Sequence, residues 1–210
     1  MQKKEVRKSL TRQAYEEIKW RIIADELQVG TLLTKNDLCE LTGFGKAPIQ
    51  AALIELQHYR LIEVVPRKGF FIRPWNREEA RELIMMRRLI EPILVGESAK
   101  KATKEDLEEL QRIVAEAKNH VRSANRRLLI ESDNEFHVGI SRASGSAVGT
   151  EVVEMLKLRS HLLWHVTISN QRQLEVVQFQ HEKILTRILD RDSEGAACAM
   201  LEHLSSLETE

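Results

Sequence analysis

Aspartate and histidine residues in the second half of the chain have the types and spacing of metal ligands. Asp133 and His137 are four residues apart, so a helix carries both on one face. His181 and His203 follow in the segments HEKIL and MLEHL, which also have helical patterns. Antiparallel helices can bring such side chains together inside a bundle, and imidazole with carboxylate suits Zn, Ni, Fe or Mn. For any single histidine, a place in the core or on the surface is the commoner alternative. We assign three further histidines to that alternative: His120, His161 and His165.

A second group of residues, near the N-terminus, has the chemistry of DNA contact. Polar and basic residues at the start of a recognition helix reach base edges in the major groove. Lys46 can contact guanine or phosphate, Gln50 can pair bidentately with adenine, and basic residues of a wing can contact phosphates or a minor groove. The predicted DNA contacts are Lys35, Lys46, Gln50, Arg67, Lys68 and Arg73. The alternative is a small helical subdomain with a solvated basic face.

The elements around these residues have the order of a winged helix. Apolar spacing predicts a helix from Leu10 to Ala24, and Thr34 with Asp37 predicts the start of a short helix that stops at Gly43. A third helix is predicted from about Ala47 to His58. Two β-prone runs, 61–65 and 69–73, then predict a hairpin.

The pattern beyond Trp75 is helical throughout. Six helices are predicted, and they suggest an antiparallel bundle. Their approximate ranges are 76–100, interrupted at Pro92, then 103–121, 126–143, 148–168, 173–189 and 193–207. The expected fold is therefore mostly α: an N-terminal winged helix-turn-helix domain over residues 1–75, followed by an all-α antiparallel helical bundle over residues 76–210.

Charge and composition agree with two parts that have different tasks. Residues 1–75 carry 13 Lys and Arg against 9 Asp and Glu, whereas residues 76–210 carry 19 against 23. No apolar run approaches the roughly 18 residues of a membrane-spanning helix, and no membrane partner is expected. The two cysteines, Cys39 and Cys198, are far apart and fit reduced thiols. A cytoplasmic location is expected.

The first part of the chain resembles the winged-helix domain of GntR-family transcription regulators. The resemblance covers almost all of residues 10–73 and includes the A-P-I-x-x-A-L-x-x-L run and the R-x-G-F-F hairpin. It implies binding of a double-stranded DNA operator. The sequence departs from the family at Gly45-Lys46-Ala47, where serine-arginine-threonine is usual, and at Gln50, where arginine is usual. Because lysine and glutamine lack the planar, bidentate fork of arginine, the operator is expected to differ from the family's usual one.

Residues 79–207 resemble the helical FCD ligand-binding domain of the FadR subfamily. The metal ligands of that domain lie in D-x-x-x-H, in a histidine that opens an H-x-x-[IL] helix, and in a final M-x-x-H-L. Asp133, His137, His181 and His203 occupy those places, so the resemblance implies that they bind one divalent transition metal. Arg87, in the pattern R-x-x-[LI]-E, is implied to face the ligand cavity. Six predicted helices indicate the shorter, VanR-like version of the domain.

The metal site suggests a small organic carboxylate as effector. One aspartate and three neutral histidines around a divalent ion leave a charge of about +1 and two open octahedral positions. A carboxylate fits both, and Arg87 can add a bidentate contact.

These residues predict a metabolite-responsive, DNA-binding regulator and a homodimer, because half-site recognition normally pairs two modules. One alternative is a metal-dependent enzyme, of the hydrolase type, whose His3Asp centre activates water. The basic winged helix argues against it, as does the lack of an obvious general base, although Glu135 and Glu182 lie near the ligands in sequence. A helical scaffold without activity is the other. Metal content and a gel-shift with DNA distinguish the three.

Overall fold

The structure is a computed structural model, and it describes residues 9–24, 26–74, 76–123, 125–160 and 171–207. The chain divides into two units, Met1–Pro74 and Trp75–Glu210. The first is a winged helix-turn-helix and the second consists of helices throughout its described part, which confirms the predicted fold class. Among the described residues, no helix has both the length and the apolar character needed to cross a bilayer.

The described part of the N-terminal unit has three helices and a three-stranded antiparallel sheet of order β1-β3-β2. Strand β1, which the sequence patterns do not predict, is only two residues long and pairs with β3. The elements are α1 (Leu10–Ile23), β1 (Leu32–Leu33), α2 (Lys35–Thr42), α3 (Lys46–His58), β2 (Ile62–Val65) and β3 (Gly69–Ile72).

Local signals in the sequence set the position of α2 and of the wing. Thr34 and Asp37 form the expected capping box at the start of α2, and Gly43 ends the helix with a φ of 74°. Gly69 begins β3 with a φ of 144°, and a Cβ atom there would lie 2.2 Å from the carbonyl oxygen of Leu33. The close pairing of β1 with β3 therefore requires glycine at position 69.

The described part of the C-terminal unit contains six helices. They are α4 (Arg77–Lys101), α5 (Lys104–Ser123), α6 (Arg126–Ala143), α7 (Ala147–Ser160), α8 (Gln171–Leu189) and α9 (Ser193–Ser205). The predicted end of the fourth helix near Ile168 lies outside the described residues, as do His161 and His165. The predicted interruption at Pro92 is wrong, because α4 continues through it. Proline removes one backbone hydrogen bond, and the buried residues on either side, Glu91 and Leu94, hold the adjacent turns against the core.

The core of this unit fixes the helices that carry the predicted metal ligands. Its buried side chains come from α4, α5, α6, α8 and α9 and include Val95, Leu110, Ile113, Phe136, Ile140, Ile184, Ile188, Met200 and Leu204. Packing on both sides of α6 leaves little freedom to the side chains that α6 directs inward.

Candidate functional site

Four side chains from three helices meet inside the C-terminal unit. Asp133 and His137 come from α6, His181 from α8 and His203 from α9, and all four are buried. One ligand atom from each lies within 4.8 Å of the others. The i, i+4 spacing on α6 and the packing of α8 and α9 in one core thus bring together all four residues that the sequence analysis named.

The distances between these atoms suit a shared ion. His181 Nε2 lies 3.4 Å from His203 Nε2 and 3.6 Å from Asp133 Oδ1, and His137 Nε2 lies 3.6 Å from the same oxygen. Ligands about 2.0–2.2 Å from one ion lie about 3–3.5 Å apart, depending on the angle between them. His137 Nε2 is buried without a hydrogen-bond partner, which leaves its lone pair available for a ligand bond.

Hydrogen bonds on the far side of two imidazole rings orient them. Glu91 Oε2 accepts from His137 Nδ1 at 2.5 Å, and Gln180 Oε1 accepts from His203 Nδ1 at 2.9 Å. A proton on Nδ1 leaves Nε2 unprotonated, as a metal ligand requires. Phe136 packs against the His181 ring with a centroid distance of 4.6 Å.

Two buried cations border the four candidate ligands. Arg87 donates from Nε to Glu91 Oε1 at 2.5 Å, and its Nη2 is buried without a hydrogen-bond partner. Lys157, from α7, is 1% exposed and donates to Asp133 Oδ2. Arg87 is therefore paired with Glu91, the carboxylate that also holds His137. Its Nη2 remains a free donor.

Burial and these neighbours determine the protonation of the cluster. Burial lowers the pKa of His181 to about 3 and holds that of His203 well below its usual value. Burial alone would raise the pKa of Asp133, but the charge of Lys157 and the nearby imidazoles of His137 and His181 hold it well below the usual range. The net effect is an ionised aspartate beside two neutral histidines, the forms that bind metal.

The sequence patterns do not single out Lys157 or Gln180, and Glu91 enters only as the last residue of the R-x-x-[LI]-E pattern. One signal for Lys157 was present: Val153, Leu156 and Ser160 lie on the buried face of α7 at helical spacing, and Lys157 falls on that face. A lysine on such a face needs a buried acidic partner.

The predicted DNA contacts lie on the N-terminal unit. Lys35 begins α2, Lys46 begins α3, and Gln50 lies one turn into α3. A hollow of about 510 Å³ between these helices and the wing is lined by four of the six predicted residues: Lys35, Gln50, Arg67 and Lys68. Lys46 is exposed at the start of its helix, and Arg73 Nη1 donates to the carbonyl oxygen of Arg60 at 3.4 Å.

Comparisons with known proteins match both units. The family of bacterial regulatory proteins named gntR matches residues 10–72, and the FCD domain family matches residues 82–206. The regulator McbR of Escherichia coli K12 is 23% identical over 198 residues, which cover 92% of this chain and 89% of that protein.

Solved structures show the same fold. That of E. coli McbR/YncC superposes with a TM-score of 0.80 at 22% identity and covers 95% of both chains. The FCD domain of TM0439, a structure described as metal-free, has a TM-score of 0.54 at 26% identity and covers 64% of this chain and 92% of that domain.

Proposed function

The chain belongs to the GntR family of bacterial transcription regulators, with an FCD domain as its C-terminal unit, and from that premise we propose that a metal-bound carboxylate controls its affinity for DNA. The observation that carries the proposal is the buried group of one carboxylate and three imidazoles, with ligand atoms within 4.8 Å of one another. The protein acts in the cytoplasm, where its DNA partner is.

Asp133, His137, His181 and His203 would hold one divalent transition metal. The unpartnered His137 Nε2 fits this role, since a buried imidazole nitrogen without a partner otherwise costs free energy. The ion, when bound, supplies a Lewis-acidic centre for an anionic ligand. Zn, Ni, Fe and Mn all fit one carboxylate and three imidazoles, so the native metal has to be measured.

The effector is a small organic carboxylate. The sequence suggested a site charge of about +1, but the structure adds Arg87, Glu91 and Lys157. With a divalent ion and Asp133, this buried set has a formal charge of about +2, which favours an anionic ligand. The unpartnered Nη2 of Arg87 supports a direct, charge-assisted contact with that ligand.

The winged helix binds a duplex operator, and a homodimer places two of these units on two half-sites. An effector can change DNA affinity only through its different affinities for the DNA-binding and the non-binding states, typically about 1–3 kcal/mol. This range corresponds to a change in operator affinity of several-fold to about a hundredfold.

The enzyme alternative loses support at its candidate general bases. Glu135 is exposed, and Glu182 accepts from Lys118 at 3.1 Å and from Gln178 at 3.2 Å. Glu91 uses both oxygens, one on Arg87 and one on His137. These contacts weaken the case for a general base beside the candidate ligands, which a hydrolytic reaction would need.

Calorimetry tests the proposal, because an effector that changes DNA affinity must itself bind with a different affinity when DNA is present. A panel of mono-, di- and tricarboxylates is titrated into the metal-loaded protein, with and without duplex DNA from upstream of its own gene. At least one carboxylate should bind with an affinity that changes when DNA is present. Equal affinities for every carboxylate that binds would reject an effector role for the metal site.

Arg87→Lys separates the effector contact from the metal. It keeps the charge beside Glu91 but loses the guanidinium fork, so the carboxylate should bind more weakly while the metal content is unchanged. Loss of the metal together with the carboxylate would assign Arg87 to the metal centre alone.

A further inference from the structure

Lys35 and Gln50 are joined on the predicted DNA-contact surface. Lys35 Nζ donates a hydrogen bond to Gln50 Oε1 at 2.9 Å, and both side chains are exposed and line the hollow beside the wing. An ammonium group has only donors, so the amide atom that faces it must be the oxygen. The orientation of the Gln50 amide is therefore fixed by chemistry.

Neighbouring residues favour this pairing. Ile49 and Leu53 are buried and fix the rotation of α3, which directs Gln50 outward towards α2. Asp37, the nearest acidic residue along α2, accepts from the Thr34 backbone N–H at 2.7 Å as part of the capping box. Its carboxylate is engaged there, and Lys35 pairs with Gln50.

The pair presents donors to the major groove. Gln50 Nε2 keeps two N–H groups, and Lys35 Nζ keeps two more. Bidentate pairing with adenine needs the amide oxygen to accept from N6 while the amide nitrogen donates to N7. The second lone pair of Oε1 lies beside the ammonium, whose charge repels an approaching amino group. Guanine, by contrast, presents two acceptors, O6 and N7.

We propose that Lys35 and Gln50 together read a guanine in each half-site, in place of the adenine that Gln50 alone predicts. The inference rests on the proposed DNA binding and deepens it, because it names the base that the recognition helix selects. Lys35 becomes a specificity residue that acts by orienting Gln50 and by its own donors.

Selection of binding sites from a random duplex DNA library, using the full-length protein and three variants, tests the inference. The parent should enrich guanine at one position of each half-site by about tenfold or more, the range of a bidentate contact. Lys35→Met removes the ammonium and frees Oε1, so that position should change to adenine. Gln50→Ala should weaken the guanine preference at the same position.

Arg67→Ala is the matched control on the same surface. It should lower affinity without changing the preferred base, because a phosphate contact carries no sequence information. An adenine selected by the parent, or a guanine preference unchanged in Lys35→Met, would overturn the inference while leaving DNA binding intact. If the parent retains DNA but enriches no sequence, the inference is overturned and DNA binding stands. If it retains no DNA, the proposed DNA binding is overturned as well.

Discussion

Replacing His203 with alanine removes one of the four side chains around the candidate metal centre, and the stability change can be calculated. A metal at one hundred times its Kd stabilises the folded state by about 2.7 kcal/mol. The entropy of unfolding of a unit of about 135 residues is roughly 0.28 kcal/mol per degree, so metal should raise the parent's melting temperature by about 10 °C. Loss of a residue that only orients a metal ligand lowers metal affinity by about 10–100-fold. Loss of a ligand itself should therefore lower it by about 100-fold or more. At the same metal concentration, metal should then stabilise His203→Ala by only about 0.4 kcal/mol, which raises its melting temperature by about 1–2 °C.

The assay compares melting with and without metal for each variant, because His203→Ala also opens a cavity that lowers stability by itself. Zn, Ni, Fe(II) and Mn are tested separately on protein stripped with a chelator, and bound metal is counted by mass spectrometry. His120→Ala is the matched control: His120 is half-buried in the same unit and bonds to Ser132 Oγ at 2.9 Å, outside the four ligands. Metal should raise the melting temperature of His120→Ala by as much as it raises that of the parent. An equal rise in His203→Ala and the parent would refute the four-ligand centre.

Three further substitutions test other parts of the structure. Lys157→Met leaves Asp133 buried without its cation, so the metal-free protein should lose about 3–5 kcal/mol of stability, and metal should raise its melting temperature by more than it raises the parent's. Gly69→Ala should destabilise the winged unit by at least about 2 kcal/mol in chemical denaturation, whereas Gly45→Ala, with nothing within 4 Å, should not. Arg67→Ala should lower the salt slope of DNA binding by about one, and an unchanged slope would exclude a phosphate contact there.

The sequence predicted the elements well where local signals act. The capping box at Thr34 and the i, i+4 spacing of Asp133 and His137 depend on neighbouring residues, and the structure has both. Pro92 was misread because the local cost of a proline was judged without the packing on both sides of it. The two-residue strand β1 has no periodicity of its own, and it exists only because β3 lies beside it.

The parts of the site that could not be predicted depend on contacts distant in sequence. His181 and His203 lie 22 residues apart on different helices, and it took a family resemblance to join them to Asp133. Lys157 reaches Asp133 across 24 residues. Patterns of burial indicate which face of a helix points inward, but they do not indicate which buried polar groups meet there.

Arg87 combines two roles that make different demands on its guanidinium group. As a residue facing the ligand it needs a free donor, and as half of a core ion pair it needs a buried carboxylate. The guanidinium does both, because Nε is bound to Glu91 while Nη2 has no partner. Glu91 in turn holds His137, so an anion that binds Nη2 acts on a group joined by two short hydrogen bonds to a metal ligand. A carboxylate bound there would therefore be linked by direct contacts to the proposed metal site, even without touching the ion itself.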